Sequence, residues 1–493
     1  MALDDFLGFL QSPKSLTAAH RAVRLHLAFP DGGGNDVLLP QRVTGIESIC
    51  GGVEYAVFCL STNGSLPLKE FIALPARIEL VTDHGDLRSV CGIVSRASAG
   101  NSDGGMASYE LVVHDALALL DKRVNTRVFQ NVTELEVIQT LHDEWLRINP
   151  VLVGSFDLEV DPLLQRHRFP KREMIRQYNE SDAHFVQRLL KRRGVSWFIR
   201  PGHARTQGRQ DGADERPAHT LVLFDDWHSL DRNAAGIVRF HRDSATEKRD
   251  TITSWSAVRT LQPGSIARHS WDYRNPRGRQ FMTVAARSEA DQGTTGNQFA
   301  ASLDDYVVEA PHVGNDYQDF YSLGQIRLAR HDYEKKSFRG EGSVRDFCVG
   351  EYFELTGHPE IDKHSKEERE FVITELRVHA VNNLPSELAE RAGRLFAGNH
   401  WISDRSGVFG ATDGVRSRNE FTVVRRGVRL VPEYDPRADL PPTQIESAIV
   451  VGPQQEEVHC DRLGRVKVRF PATRAADHKR AAGAGASDTG ADS

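Results

Sequence analysis

The chain has 493 residues, 39% hydrophobic and 26% charged, room for about three domains that bury cores without staples. Its formal net charge of −6 argues against a duplex-binding surface, which needs a basic balance. No run reaches the roughly 18 apolar residues of a membrane span, and the opening Met1-Ala2-Leu3-Asp4-Asp5 is acidic where a secretory signal is positive. The expectation is a chain made in the cytoplasm that stays there unless a machine moves it.

From Ala22 to about Val113 the pattern is strand-like. Ala22 to Leu27, Arg77 to Val81 and Ser108 to Val113 alternate, and Gly- and Asn-rich turns separate them. This predicts a barrel or sandwich of antiparallel strands. Thr133 and Glu136 have capping-box spacing, and Val137, Ile138, Leu141 and Trp145 fall on one helical face after them. A second helix is expected to open near Asn179 or Ser181, with Phe185, Val186, Leu189 and Leu190 as its apolar stripe. Lys191, Arg192 and Arg193 fill its last turn, where cations suit the carbonyl end of the dipole, and Gly194 stops it.

Val195 to Ile199 and Thr220 to Phe224 read as buried strands flanking a polar surface loop over 200–219. Strand patterns return from Ile237 to about Phe281. A third helix is expected to open at Ser322, with Leu323, Ile326, Ala329 and Tyr333 inward. Tyr352 to Leu355, Phe371 to Thr374 and Phe421 to Val424 are further strands. Pro432, Pro436, Pro441 and Pro442 make 432–442 a linker. Two more strands follow, Ala448 to Val451 and Arg465 to Phe470, and 475–493 has almost nothing to bury, so disorder is expected there. Two strands cannot make a closed sheet, so the last domain reads as cut short at Ser493.

Candidate chemistry is sparse. Cys50, Cys59, Cys91, Cys348 and Cys460 are odd in number and form no C-x-x-C pair, which predicts buried free thiols. Asp488-Thr489-Gly490 matches the aspartic-protease triplet but lies in the low-complexity tail, away from the strand-loop geometry a carboxylate dyad needs. His26, His84, His114, His142, His167 and His184, and later His312, His358, His364 and His379, lack ligand spacing. No P-loop, dinucleotide fingerprint or nucleophile elbow occurs. The pair Asp225-Asp226 reads as a solvated turn, and the basic stretch from Arg166 to Arg193 as a wet helical face. No catalytic residue, cofactor or metal ligand is therefore assigned.

Several segments together resemble the VgrG family of type VI secretion spike proteins, relatives of contractile-phage tail hubs. They are Leu120-Asp121-Lys122-Arg123, Arg127-Val128-Phe129-Gln130, and Tyr178-Asn179-Glu180-Ser181-Asp182 with Phe185, Arg188-Leu189-Leu190 and Gly194. Further on come Leu221 to Asp226, Trp271-Asp272-Tyr273, Gly357-His358-Pro359 and Val450-Val451-Gly452-Pro453. Asp461, Gly464 to Val468 and Phe470-Pro471 close the set. The resemblance implies a mainly β fold with α+β insertions, a phage-hub-like double barrel followed by the start of an OB-fold. Residues 1–120 would be the first barrel-like module, 121–235 an α/β insertion, and 236–440 the second module with return strands. Residues 441–474 would open the OB-fold, with Val466, Val468 and Phe470 alternating inward, and 475–493 would be a loop or tail. It further implies a non-enzymatic homotrimer adapting a threefold spike to a sixfold Hcp tube, with a tip protein and effectors or adaptors as partners. Neither nucleic acid nor stable membrane insertion is implied. The chain would be cytoplasmic during assembly and then secreted through the apparatus. A phage or phage-like tail hub and a spike-borne hydrolase are the alternatives.

Overall fold

The computed structural model describes residues 21–30, 37–164, 169–205, 216–242, 249–275, 277, 283–384, 386–399, 417–442, 444–453 and 457–470. The Asp488-Thr489-Gly490 triplet and the segment 475–493 lie outside these residues.

The chain begins with six strands: β1 (Val23–Leu27), β2 (Leu39–Ser48), β3 (Gly52–Ser61), β4 (Pro75–Val81), β5 (Leu87–Ser102) and β6 (Ala107–His114). They pair antiparallel in the order β1-β4-β5-β6-β3-β2. The alternation of β1 buries Val23, Leu25 and Leu27 together with Ile78 and Leu80 of β4. Asn382 brings β1 back beside β2. Its Nδ2 donates to the Val23 and Pro40 carbonyls at 3.0 and 2.7 Å, and its Oδ1 accepts the Val23 N–H at 3.3 Å.

The next elements are α1 (Ala116–Leu120), β7 (Val124–Phe129), α2 (Glu134–Ile148), β8 (Phe156–Val160), β9 (Ile175–Ser181), α3 (Asp182–Arg193), β10 (Ser196–Pro201) and β11 (His219–Phe224). The capping box of Thr133 and Glu136 is formed in both directions, at 3.1 and 2.7 Å. Ser181 caps α3, and Gly194 ends it at φ +67°, a left-handed conformation that favours glycine. Strands β10, β11 and β8 make a small mixed sheet.

The remaining strands are β12 (Arg232–Arg239), β13 (Ile252–Arg259), β14 (Ser265–His269), β15 (Thr283–Arg287), β16 (Asp304–Val308), β17 (Lys336–Gly342), β18 (Tyr352–Thr356), β19 (Glu370–Val381), β20 (Ser417–Arg425), β21 (Ile449–Val451) and β22 (Lys467–Arg469). The helices among them are α4 (Thr294–Ser302), α5 (Tyr317–Glu334), α6 (Ser386–Ala397) and α7 (Pro436–Asp439). Strand β19 pairs with β2 on one side and β20 on the other, so a single 12-stranded sheet runs through both halves. At this junction Phe371 packs against Trp255, Phe338 and Phe353, with ring centroids 4.9, 5.1 and 6.2 Å away. The protein is mainly β with α+β insertions, as expected.

Several local expectations are corrected. Helix α5 opens five residues before Ser322, because Asp316 accepts the Asp319 N–H at 2.8 Å and buried Phe320 adds an apolar turn. Ser322 sits inside the helix and donates to the Gln318 carbonyl. The proline-rich stretch 432–442 is packed as well as stiff: Pro436 opens α7, and buried Asp439 accepts from Lys191 Nζ at 2.6 Å. The inward alternation expected for Val466, Val468 and Phe470 is not seen: Val466 is 50% exposed, while Val468, Arg469 and Phe470 are all half-buried, and among the described residues β22 pairs with β21 alone. All five cysteines are free, but Cys460 is exposed and Cys50 and Cys348 are only partly covered.

His219 ties β11 to the start of α1. The ring is fully buried, and Nε2 accepts the Ala116 N–H at 2.9 Å, which requires a neutral imidazole. Burial pushes its pKa down from 6.5 to about 4. Between those values the folded state binds fewer protons than the unfolded chain, so stability from this site is lost as pH falls from about 6.5 towards 4. Thermal midpoints should fall across that window. His219→Gln, which keeps an acceptor but does not titrate, should flatten the slope; an unchanged slope would remove His219 as its source.

Candidate functional site

The most distinctive sequence segment, Tyr178 to Asp182, forms the β9–α3 junction. Asp182 is fully buried at the first position of α3, where the positive end of the dipole favours a carboxylate. Its Oδ1 accepts from Arg127 Nη2 at 2.6 Å, Asn125 Nδ2 at 2.8 Å and Gln177 Nε2 at 2.9 Å. Its Oδ2 accepts from Trp145 Nε1 at 2.9 Å, and Arg123 Nε lies 3.0 Å away. Glu144 completes the neutral set, pairing with Arg127 at 3.0 Å and with Arg123. The neighbours have structural tasks too. Asn179 takes a positive φ of +47°, Glu180 binds Arg188 through two contacts, and the Ser181 hydroxyl donates to Asp121 at 2.7 Å. Segments 120–130 and 177–188, distant in sequence, thus meet in one buried polar network.

The other candidates become structural in the same way. Asp225 is buried, not solvated, and accepts both Arg429 contacts at 2.9 and 2.7 Å; Asp226 caps the turn at His228. The basic stretch is not a wet face. Arg188 is buried against Glu180, and Arg193 against Glu134 and Asp319 at 2.8 and 2.6 Å. Periodicity marked these arginines as polar but carried no signal for which carboxylates meet them. Among the described residues, Asp83, Asp250 and Asp346 bring carboxylate oxygens within 4.8 Å of one another, a trio the sequence spacing did not show. Arg345 already occupies Asp250, with contacts of 2.9 and 3.1 Å.

The three-stranded sheet β15-β14-β16 packs one face on α5. A Cβ added at Gly324 would stand 2.7 Å from Val284 Cγ1, so the close approach requires glycine there. The opposite face leaves Tyr306 and Val308 59% and 66% exposed, and α4 leaves Phe299 60% exposed. Such apolar exposure is of the kind found at protein-contact surfaces. The geometry as a whole is a scaffold of buried ion pairs beneath uncovered apolar side chains.

Residues 46–384 match the family described as phage tail baseplate hub (GPD), more than half of the chain. The chain belongs to this hub family. The chain is 27% identical over 440 residues to the type VI secretion system spike protein VgrG1b of Pseudomonas aeruginosa, covering 89% of this chain and 51% of that protein. It is 26% identical over 439 residues to VgrG1a of the same organism, covering 89% and 59%. The chain therefore spans between half and three-fifths of the length of these two relatives. In fold it is similar to the E. coli c3393 protein, described as a type VI secretion component resembling the T4 tail proteins gp27 and gp5. The TM-score is 0.55 at 14% identity, over 91% of this chain and 88% of that one. The tail protein of Neisseria meningitidis MC58 follows, with TM-score 0.51 at 10% identity, over 83% and 98%.

Proposed function

We propose that this hub is a structural component of a type VI spike. Three copies would form the threefold base that adapts the spike to the sixfold Hcp tube, with a tip protein and effectors or adaptors carried above. The chain would assemble in the cytoplasm and leave through the apparatus. Its role would be to present surfaces, without catalysis of its own. The observation that carries this reading is the similarity to two VgrG spike proteins across 89% of the chain, beside the match of residues 46–384 to the hub family. That similarity favours a secretion spike over a phage tail, although the hub fold occurs in both settings. The exposed Tyr306, Val308 and Phe299 support an assembling subunit. No described helix is long and apolar enough to cross a membrane.

Native mass spectrometry at micromolar concentration tests the symmetry. A trimer is the expected species. A chain that stays monomeric across that range would overturn the adaptor role.

A further inference from the structure

A cavity of about 660 Å³ opens between the end of α3, the β14–β16 strands, α5 and the α7 segment. Arg172, Arg192, Arg268, Arg327 and Arg437 line it, against three carboxylates, Asp305, Glu309 and Asp435. The carboxylates are engaged. Asp305 takes Arg268 Nη2 at 2.6 Å and His331 Nε2 at 2.9 Å, Glu309 lies 3.7 Å from Arg268 Nε, and Asp435 caps α7.

Besides the exposed Arg437, three arginines of the lining remain without an ion pair among the described residues. Arg172 Nη1 and Arg192 Nη2 both donate to the Val313 carbonyl, at 2.8 and 2.5 Å. Arg327 stacks on Tyr434 at 4.3 Å and reaches the Arg192 carbonyl at 3.4 Å. Its Nη1 is buried with no hydrogen-bond partner among the described residues. Burial holds Arg172 and Arg327 down to about 10, and the neighbouring guanidiniums add to the effect. Carbonyl dipoles satisfy donors but do not neutralise charge, so converging, partly buried cations call for an anion.

The geometry points to an oxyanion-binding cavity that takes a small, multiply charged phosphate- or carboxylate-bearing molecule on Arg172, Arg192 and Arg327. Planar guanidiniums match such groups through paired N–H donors, and the volume lies in the range of small-molecule sites. The site stands whether or not the chain forms trimers.

The test is calorimetric titration of the full chain with inorganic pyrophosphate and with citrate, at constant ionic strength set by sodium chloride. Saturable binding of at least one anion is expected, weakened at least tenfold in Arg327→Gln and in Arg192→Gln. Arg377→Gln, on an exposed side chain elsewhere, should bind as the parent does. If the glutamine variants do not melt cooperatively, Arg327→Lys supplies the comparison: it keeps the charge, loses the fork, and should bind several-fold more weakly. No saturable binding of either anion, or equal binding by the parent and Arg327 variants, would overturn the site. Binding of an oligoglutamate peptide alone would also overturn it, by assigning the cations to a protein partner.

Discussion

Asp182→Ala is expected to lower stability by about 3–5 kcal/mol, the range for removing one partner of a buried ion pair. The carboxylate accepts from five residues' side chains if the 3.0 Å Arg123 approach is included, and Arg127 beneath it is only 1% exposed. Alanine takes one carboxylate from that guanidinium, which keeps Glu144 at 3.0 Å, and removes an acceptor from Asn125, Gln177 and Trp145. The loss should show as a lower urea midpoint and thermal midpoint. Asp182→Asn keeps the shape but not the charge, and should fall between alanine and the parent. Adding Arg127→Met to the alanine variant removes the buried cation that Asp182 had helped to neutralise and should recover part of the loss. A cost below about 1 kcal/mol for Asp182→Ala would mean that the network is not the keystone of the β9–α3 junction.

Phe371→Ala should cost a similar amount, about 3–5 kcal/mol, through lost burial and the cavity left behind. The ring is fully buried on β19, the strand that joins the two halves of the large sheet, and three aromatic neighbours surround it. Phe371→Leu keeps most of the volume and should cost less than about 1.5 kcal/mol. Chemical denaturation of the two variants side by side separates packing from strand propensity. If leucine cost as much as alanine, cavity formation would not be the cause.

Much of the local structure was legible in the residues. The alternation of Val23, Leu25 and Leu27, the capping box at Thr133 and Glu136, and the stop at Gly194 all appear where the sequence places them. The resemblance segments were legible as a set, but their task was not. Nothing in the spacing of Arg123, Arg127 and Asp182 shows that they share one buried network. The start of α5 was misplaced because Asp316 and Ser322 are both competent caps by local pattern. Packing of Phe320 and Gly324 against the neighbouring sheet is what favours the longer helix.

The sequence by itself determined the strand and helix periods, the caps and stops, and the mainly β class, because each depends on residues within a few positions of one another. Only the tertiary structure decided that β19 binds both β2 and β20, that Arg188 and Arg193 are buried in ion pairs, and that Arg172, Arg192 and Arg327 share a cavity. Periodicity shows which face of an element is polar; which charge that face meets depends on chain segments tens to hundreds of residues away, brought there by burial of the core.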